Sequence, residues 1–265
     1  MLERMIEFFL SWFIYPGLSW RLMLLGIGLA VVFGAIWLAC HWPPLFKKHW
    51  LWAVLVSSAL LGLTAVSLVQ IPLQTLVGQA LGYFWSMEIL MRWLLLAGIP
   101  QVLLSGLVQE GAKMVPMVVW WWRRGMNIDP KMGLAIGAVA GAGLGIFEAV
   151  WAHNQIFASG WTWGAVQAVG FIVLAGFWER FFSVAFHIAV SALAGYGLAR
   201  GWGWQFYLLA AFLHGLLNYG IILLQAGIFT IVHIEIYIAV VAVLVTAVAL
   251  WLRWRKSDEL VEAEV

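Results

Sequence analysis

Charge is what this sequence has least of. Only 10% of its 265 residues are Asp, Glu, Lys or Arg, against about 25% in an ordinary soluble domain. With 65% hydrophobic residues and a mean hydropathy of +0.98, one water-soluble core could not hide the apolar side chains, so lipid must be the solvent. The formal charge of +2, from 14 basic and 12 acidic residues, is too small and too scattered for a nucleic-acid partner. Cysteine is nearly absent too. Cys40, the single one, can form no internal disulfide and reads as a small apolar residue. Long polar stretches are also missing: the only charged tail is RWRKSDELVEAEV, so no soluble domain is expected.

What is present in quantity is apolar helix. A helical crossing takes roughly 20 apolar residues, and seven stretches qualify, near 18–40, 50–72, 94–122, 131–157, 170–200, 204–225 and 230–254. The expected fold is therefore all-α, a polytopic transmembrane helix bundle of about seven spans over 18–254. The third and fifth stretches exceed one straight crossing. Pro100 and Pro116 invite kinks in the third, and 160–178 reads as a short re-entrant or interfacial piece ahead of the fifth. Many of the 19 tryptophans lie toward segment ends, as aromatic belts do. Residues 1–17, MLERMIEFFLSWFIYPG, set Glu3, Arg4 and Glu7 among aromatics without a small-residue cleavage site. They read as an interfacial amphipathic lead-in, not a removed signal peptide.

Basic residues alternate between connections. Lys47 and Lys48 are followed by none in 73–90; then come Arg123, Arg124 and Lys131, none in 158–169, Arg200, none in 225–230, and Arg253, Arg255 and Lys256. The positive-inside rule makes the basic set cytoplasmic, with the N-terminus outside and 255–265 as a cytoplasmic tail. Arg92 and Arg180, near the outer ends, depart from the pattern.

Against this apolar background, the ionisable residues inside spans stand out, because each costs about 2.5–3.5 kcal/mol on insertion scales and needs a partner. In QVLLSGLVQEGAK, Gln101, Ser105, Gln109 and Lys113 recur every four residues on one stripe, with Glu110 beside it, about one turn from Lys113. Glu110 lies 13 residues before Arg123, roughly 20 Å by helical rise, near mid-bilayer. In the fourth span Gly133, Gly137, Gly141 and Gly145 form a small-residue stripe for close helix approach. Glu148 falls near the middle of their fan and so points into the bundle. In the fifth, Arg180, Ser183, His187 and Ser191 share one face. In the sixth, His214 and Asn218 are one turn apart near the midplane, where an imidazole and a carboxamide can donate to a developing oxyanion or hold a water. His41, His49, His153 and His233 lie nearer the ends and read as ordinary polar residues.

In this order, QEGAK at 109–113, NIDPKMG with the segment ending at Glu148, ERFFSVAFHIAVSALAGYGLAR at 179–200 and LAAFLHGLLNYG at 210–220 resemble the PrsW and YhfC group of membrane peptidases. That group belongs to the wider superfamily of CAAX prenyl-protein proteases. The resemblance covers about 100–225; the first two spans and the last carry no motif. It implies glutamic-type intramembrane proteolysis in a bacterial cytoplasmic membrane, acting on a transmembrane or membrane-anchored protein substrate. On it, Glu110 would be the general base, Lys113 its motif partner, Glu148 and His187 supporting polar residues, and His214 and Asn218 the oxyanion donors. No resident cofactor is assigned. Part of the group is described as metallopeptidase, and Glu110, Glu148, His187 and His214 offer oxygen and nitrogen donors that suit zinc. Gln109 stands where the group has the first Glu of a pair, which removes a charge and one candidate base. Two other classes remain open: a non-catalytic membrane-binding or regulatory relative, and an ion-coupled transporter using the same carboxylates and imidazoles as a relay. Against the transporter, the two halves carry no matching pair of interrupted helices.

Overall fold

The structure is a computed structural model that describes residues 2–12 and 14–255. All but the first residue of the expected tail at 255–265 lies outside the described residues. Among these, every regular element is helical. The chain runs α1 (Leu2–Ser11), α2 (Trp20–His41), α3 (Trp50–Ala65), a π-helical turn (Val66–Gln70), α4 (Ile71–Phe84), α5 (Met87–Arg92), α6 (Leu94–Ala97), α7 (Ile99–Arg123), α8 (Pro130–Ala158), α9 (Trp163–Val169), a 3-10 turn (Phe171–Leu174), α10 (Ala175–Ala199), α11 (Gly203–Gln225) and α12 (Ile231–Trp254). Seven of the helical stretches are long and apolar enough to cross a membrane. The chain is an all-α polytopic bundle.

The second crossing departs from expectation. It does not stop near residue 72 but continues as one 35-residue rod, Trp50–Phe84. Pro72 explains the π turn inside it. Proline has no N–H, and its ring crowds the carbonyl four residues back, Leu68, so the hydrogen-bond ladder opens just before it. The N–H of Ile71 accordingly reaches the carbonyl of Val66. In α7, Pro100 sits in the first turn, where its missing N–H leaves no bond unmade, while Pro116 lies inside the helix without ending it. The expected piece ahead of the fifth crossing is present as α9 and the 3-10 turn.

α8 and α10 form the centre. Their contact follows from the glycine stripe: a Cβ at Gly133, Gly137 or Gly141 would run into the carbonyl of Gly195, Ser191 or His187. With those side chains deleted, the two backbones pack directly. Around this pair, α2 and α3 lie on α8, α11 and α12 lie on α10, and α7 fills the space between α3 and α11. On the other face of α8, Ser58 Oγ donates to the carbonyl of Ala140 at 2.7 Å. Helix α1 rests against the outside, with Trp12 stacked on Trp151 at 5.7 Å and Ser11 Oγ accepting from Trp151 Nε1 at 3.2 Å. The termini are ordinary: Asp129 caps α8 ahead of Pro130, and Thr230 with His233 forms a capping box on α12. Lys47, Lys48, Arg123, Arg124, Lys131, Arg200, Arg253 and Arg255 all fall at one end of the bundle, called the basic end below.

Candidate functional site

The helices hold the polar residues at matched depth. Glu110 lies 11 residues past the start of α7, His187 12 past the start of α10, and His214 11 past the start of α11, close to the midpoints of helices 25, 25 and 23 residues long. Glu148 is 18 residues into the 29 of α8, displaced away from the basic end.

Each glutamate is brought to its histidine by a glycine one turn earlier. A Cβ at Gly106 would strike the carbonyl of Ala211, so α7 and α11 touch there, and the next turn sets Glu110 beside His214. A Cβ at Gly145 would come within 3.2 Å of His187 Cβ, and three residues on, Glu148 meets the imidazole of His187. The second contact was foreshadowed by the glycine stripe. The first was not, because Gly106 and Gly215 are single glycines without a repeat.

The side chains join into one chain of contacts. Glu110 Oε1 lies 2.7 Å from His214 Nδ1 and also accepts from Lys113 Nζ at 2.7 Å. The same ammonium is 3.1 Å from His187 Nδ1, and His187 Nε2 is 2.8 Å from Glu148 Oε2. Lysine can only donate, so Nδ1 of His187 is its acceptor and the ring proton sits on Nε2, pointing at Glu148. Arg180 lies 3.7 Å from Glu148 and pairs closely with Glu179, which also accepts from Ser183 Oγ at 3.0 Å. The inner part is buried: Lys113 is 0% and Glu110 1% exposed. Buried charges at this depth require such pairing. No hydrogen bond among the described residues ends on Glu110 Oε2 or His214 Nε2.

The expected polar stripe of α7 divides. Lys113 and Glu110 turn into the site. Gln109 turns the other way and donates to Gln70 Oε1 at 3.1 Å, while its own Oε1 is buried without a partner. Gln101 and Gln74 each donate to the other's main-chain carbonyl, at 3.0 and 2.9 Å. Gln70 and Gln74 went unnoticed in the sequence because they straddle what looked like the end of a span; a proline beside two glutamines one turn apart is the signal that marked them. Asn218 does not reach Glu110. It donates from Nδ2 to Ser105 Oγ at 2.8 Å. His41 and His153, both buried, bond main-chain carbonyls at Trp37 and Gly26 and take no part.

A cavity of about 530 Å³ reaches this cluster. Gln70, Ser105, Gln109, Glu148, Arg180 and Asn218 line its deep part, and it extends past Gln155 and Gly176 toward the end away from the basic residues. Glu148 and Asn218 border it directly. Glu110 and His214 lie one step behind, next to Gln109 in sequence and one turn before Asn218.

The zinc set expected from the resemblance can be tested on this geometry. Donor atoms of Glu110, His187 and His214 lie within 4.8 Å of one another; Glu148 is not among them. The donor types suit zinc, which sits about 2.0–2.2 Å from such atoms. However, the ammonium of Lys113 already stands between Glu110 Oε1 and His187 Nδ1. An ion bound to both would collide with it. Through those two atoms, these residues hold a side-chain cation in place of a metal.

The chain matches no family model, no curated protein and no solved structure. Its function is therefore argued from this geometry and from the motifs above.

Proposed function

We propose that the protein is an intramembrane endopeptidase of the PrsW and YhfC kind, hydrolysing a peptide bond in or near a membrane-embedded segment of its substrate. The observation that carries this reading is the buried Glu110 carboxylate, fixed through one oxygen by both Lys113 and His214, with its second oxygen unengaged, beside a cavity that ends on Asn218. Preorganised groups of this kind are what an acyl-transfer site requires.

In the proposed reaction a water attacks the scissile carbonyl carbon and passes its proton to Glu110 Oε2. The developing oxyanion takes a hydrogen bond from Asn218, whose amide has two hydrogens and spends only one on Ser105. Collapse of the tetrahedral intermediate breaks the C–N bond, and the proton on Glu110 leaves with the amine. His214, bonded to Glu110 through Nδ1, keeps the carboxylate in place. Lys113 balances the charge of Glu110 through their ion pair. By the positive-inside rule the cavity faces the outer leaflet, and a bacterial cytoplasmic membrane is the setting this reading implies.

The test is cleavage of a panel of single-span substrates in vesicles carrying the full chain. Glu110→Ala and Asn218→Ala should abolish cleavage, and chelators should leave it unchanged. Cleavage that survives Glu110→Ala would defeat the proposal, and loss on chelation would defeat its metal-free form. A second reading, ion-coupled transport, is favoured by the continuous contacts from His214 through Lys113 to Arg180. Proton uptake into vesicles, followed with a pH-sensitive dye and lost in Glu148→Gln, would support it over peptide hydrolysis.

A further inference from the structure

A second cavity, of about 670 Å³, lies at the basic end, far from the glutamates. Lys47, Lys48 and His49 bound it from the turn between α2 and α3, and Arg124 bounds it from just past the end of α7. Its wall is a pair of indoles. Trp50, the first residue of α3, stacks on Trp120 in the last turn of α7 with centroids 3.6 Å apart and planes 11° apart, and the Arg124 guanidinium lies over Trp120 at 4.7 Å. Ile128 and Met132 add apolar lining, and Asn127 and Asp129 add polar groups.

The charge is unbalanced. Lys47, Lys48 and Arg124 form no salt bridge among the described residues. The single acid on the lining, Asp129, is committed to capping α8 and accepts from the N–H of Met132 at 2.9 Å. Three cations thus converge on a concavity whose opposite side is aromatic and aliphatic, at the level where the spans end. Indoles favour that depth because they bury a ring and keep one polar edge wet. A phosphate satisfies Lys and Arg, and a glyceryl ester lies against the apolar edge of the indole stack. A choline headgroup would set its ammonium among three like charges.

We propose that this cavity binds the phosphodiester headgroup of an anionic phospholipid, with Lys47, Lys48 and Arg124 on the phosphate and the Trp50–Trp120 stack against the glycerol and first acyl carbons. The shared chemistry is a phosphate oxyanion, and free phosphate lacks only the apolar half. The site is independent of peptide hydrolysis.

The experiment is native mass spectrometry of the detergent-purified full chain, titrated with dioctanoyl-phosphatidylglycerol, dioctanoyl-phosphatidylcholine or inorganic phosphate. Wild type should bind one phosphatidylglycerol at least about twentyfold more tightly than phosphatidylcholine. Each of Lys47→Gln, Lys48→Gln and Arg124→Gln should weaken it about fivefold. The triple variant should lose the preference; the three side chains are exposed, and unchanged helical circular dichroism will show that it is folded. A control with Arg123→Gln and Arg200→Gln, at the same end but outside the cavity, should keep the preference. Equal retention of the two lipids, an unaffected triple variant, or an equal loss in the control would overturn the proposal. Inorganic phosphate binding as tightly as phosphatidylglycerol would overturn the lipid assignment.

Discussion

The two central glutamates share a chain of contacts but not an environment. Glu110 has a side chain 1% exposed and bonds Lys113 and His214, whereas that of Glu148 is 22% exposed, borders the cavity, and shares Arg180 with Glu179. A carboxylate sealed among fixed donors is held in one position. A carboxylate at the edge of a cavity can exchange partners with water. On the proposed reading the difference separates the base from a group that borders its approach, and it can be broken or sharpened by substitution.

The largest effect is expected at Glu110. Glu110→Ala strands Lys113 without its carboxylate, and breaking a buried pair costs about 3–5 kcal/mol. A lower melting temperature should accompany a loss of cleavage of about 10²–10⁴-fold. Next is Gly141→Leu, whose side chain meets the carbonyl of His187. Overpacking there should destabilise by about 1–3 kcal/mol and push His187 off both neighbours. Gly28→Leu, with nothing within 4 Å of the added carbon, is the matched control and should melt like wild type. Glu148→Gln should be milder, about 1–2 kcal/mol, since Arg180 keeps Glu179 and the amide still accepts from His187. If Glu148→Gln proves more damaging than Glu110→Ala, the order of the two carboxylates must be reversed. The smallest change belongs to Gln70→Leu, about 1 kcal/mol, which frees Gln109 Nε2 and should leave both glutamates working.

Much of this was legible in the residues, for physical reasons. Hydropathy marks a span whatever it packs against, so all seven crossings could be found. Helical phase was enough to turn Glu148 inward and to put His214 near the depth of Glu110. What phase could not supply was which neighbour each side chain meets. The bonds of Glu110 to His214 and of His187 to Glu148 join residues 104 and 39 positions apart. For the same reason His214 and Asn218, which look like one unit on a helix, divide between Glu110 and Ser105. Gln109 also looked like a neighbour of Glu110, because adjacent residues are easily read as co-workers, although successive helical side chains point about 100° apart.

The π turn in the second crossing has a wider effect than its five residues suggest. One extra residue per turn shifts the phase of everything beyond it by roughly 100° relative to an unbroken α-helix. That shift turns Gln70 and Gln74 back toward the side of the rod on which Ser58 bonds Ala140, and from there they reach Gln109 and Gln101 of α7. A single missing N–H at Pro72 thus lets one continuous helix run from the glycine core at its base to the amide wall of the cavity at its top.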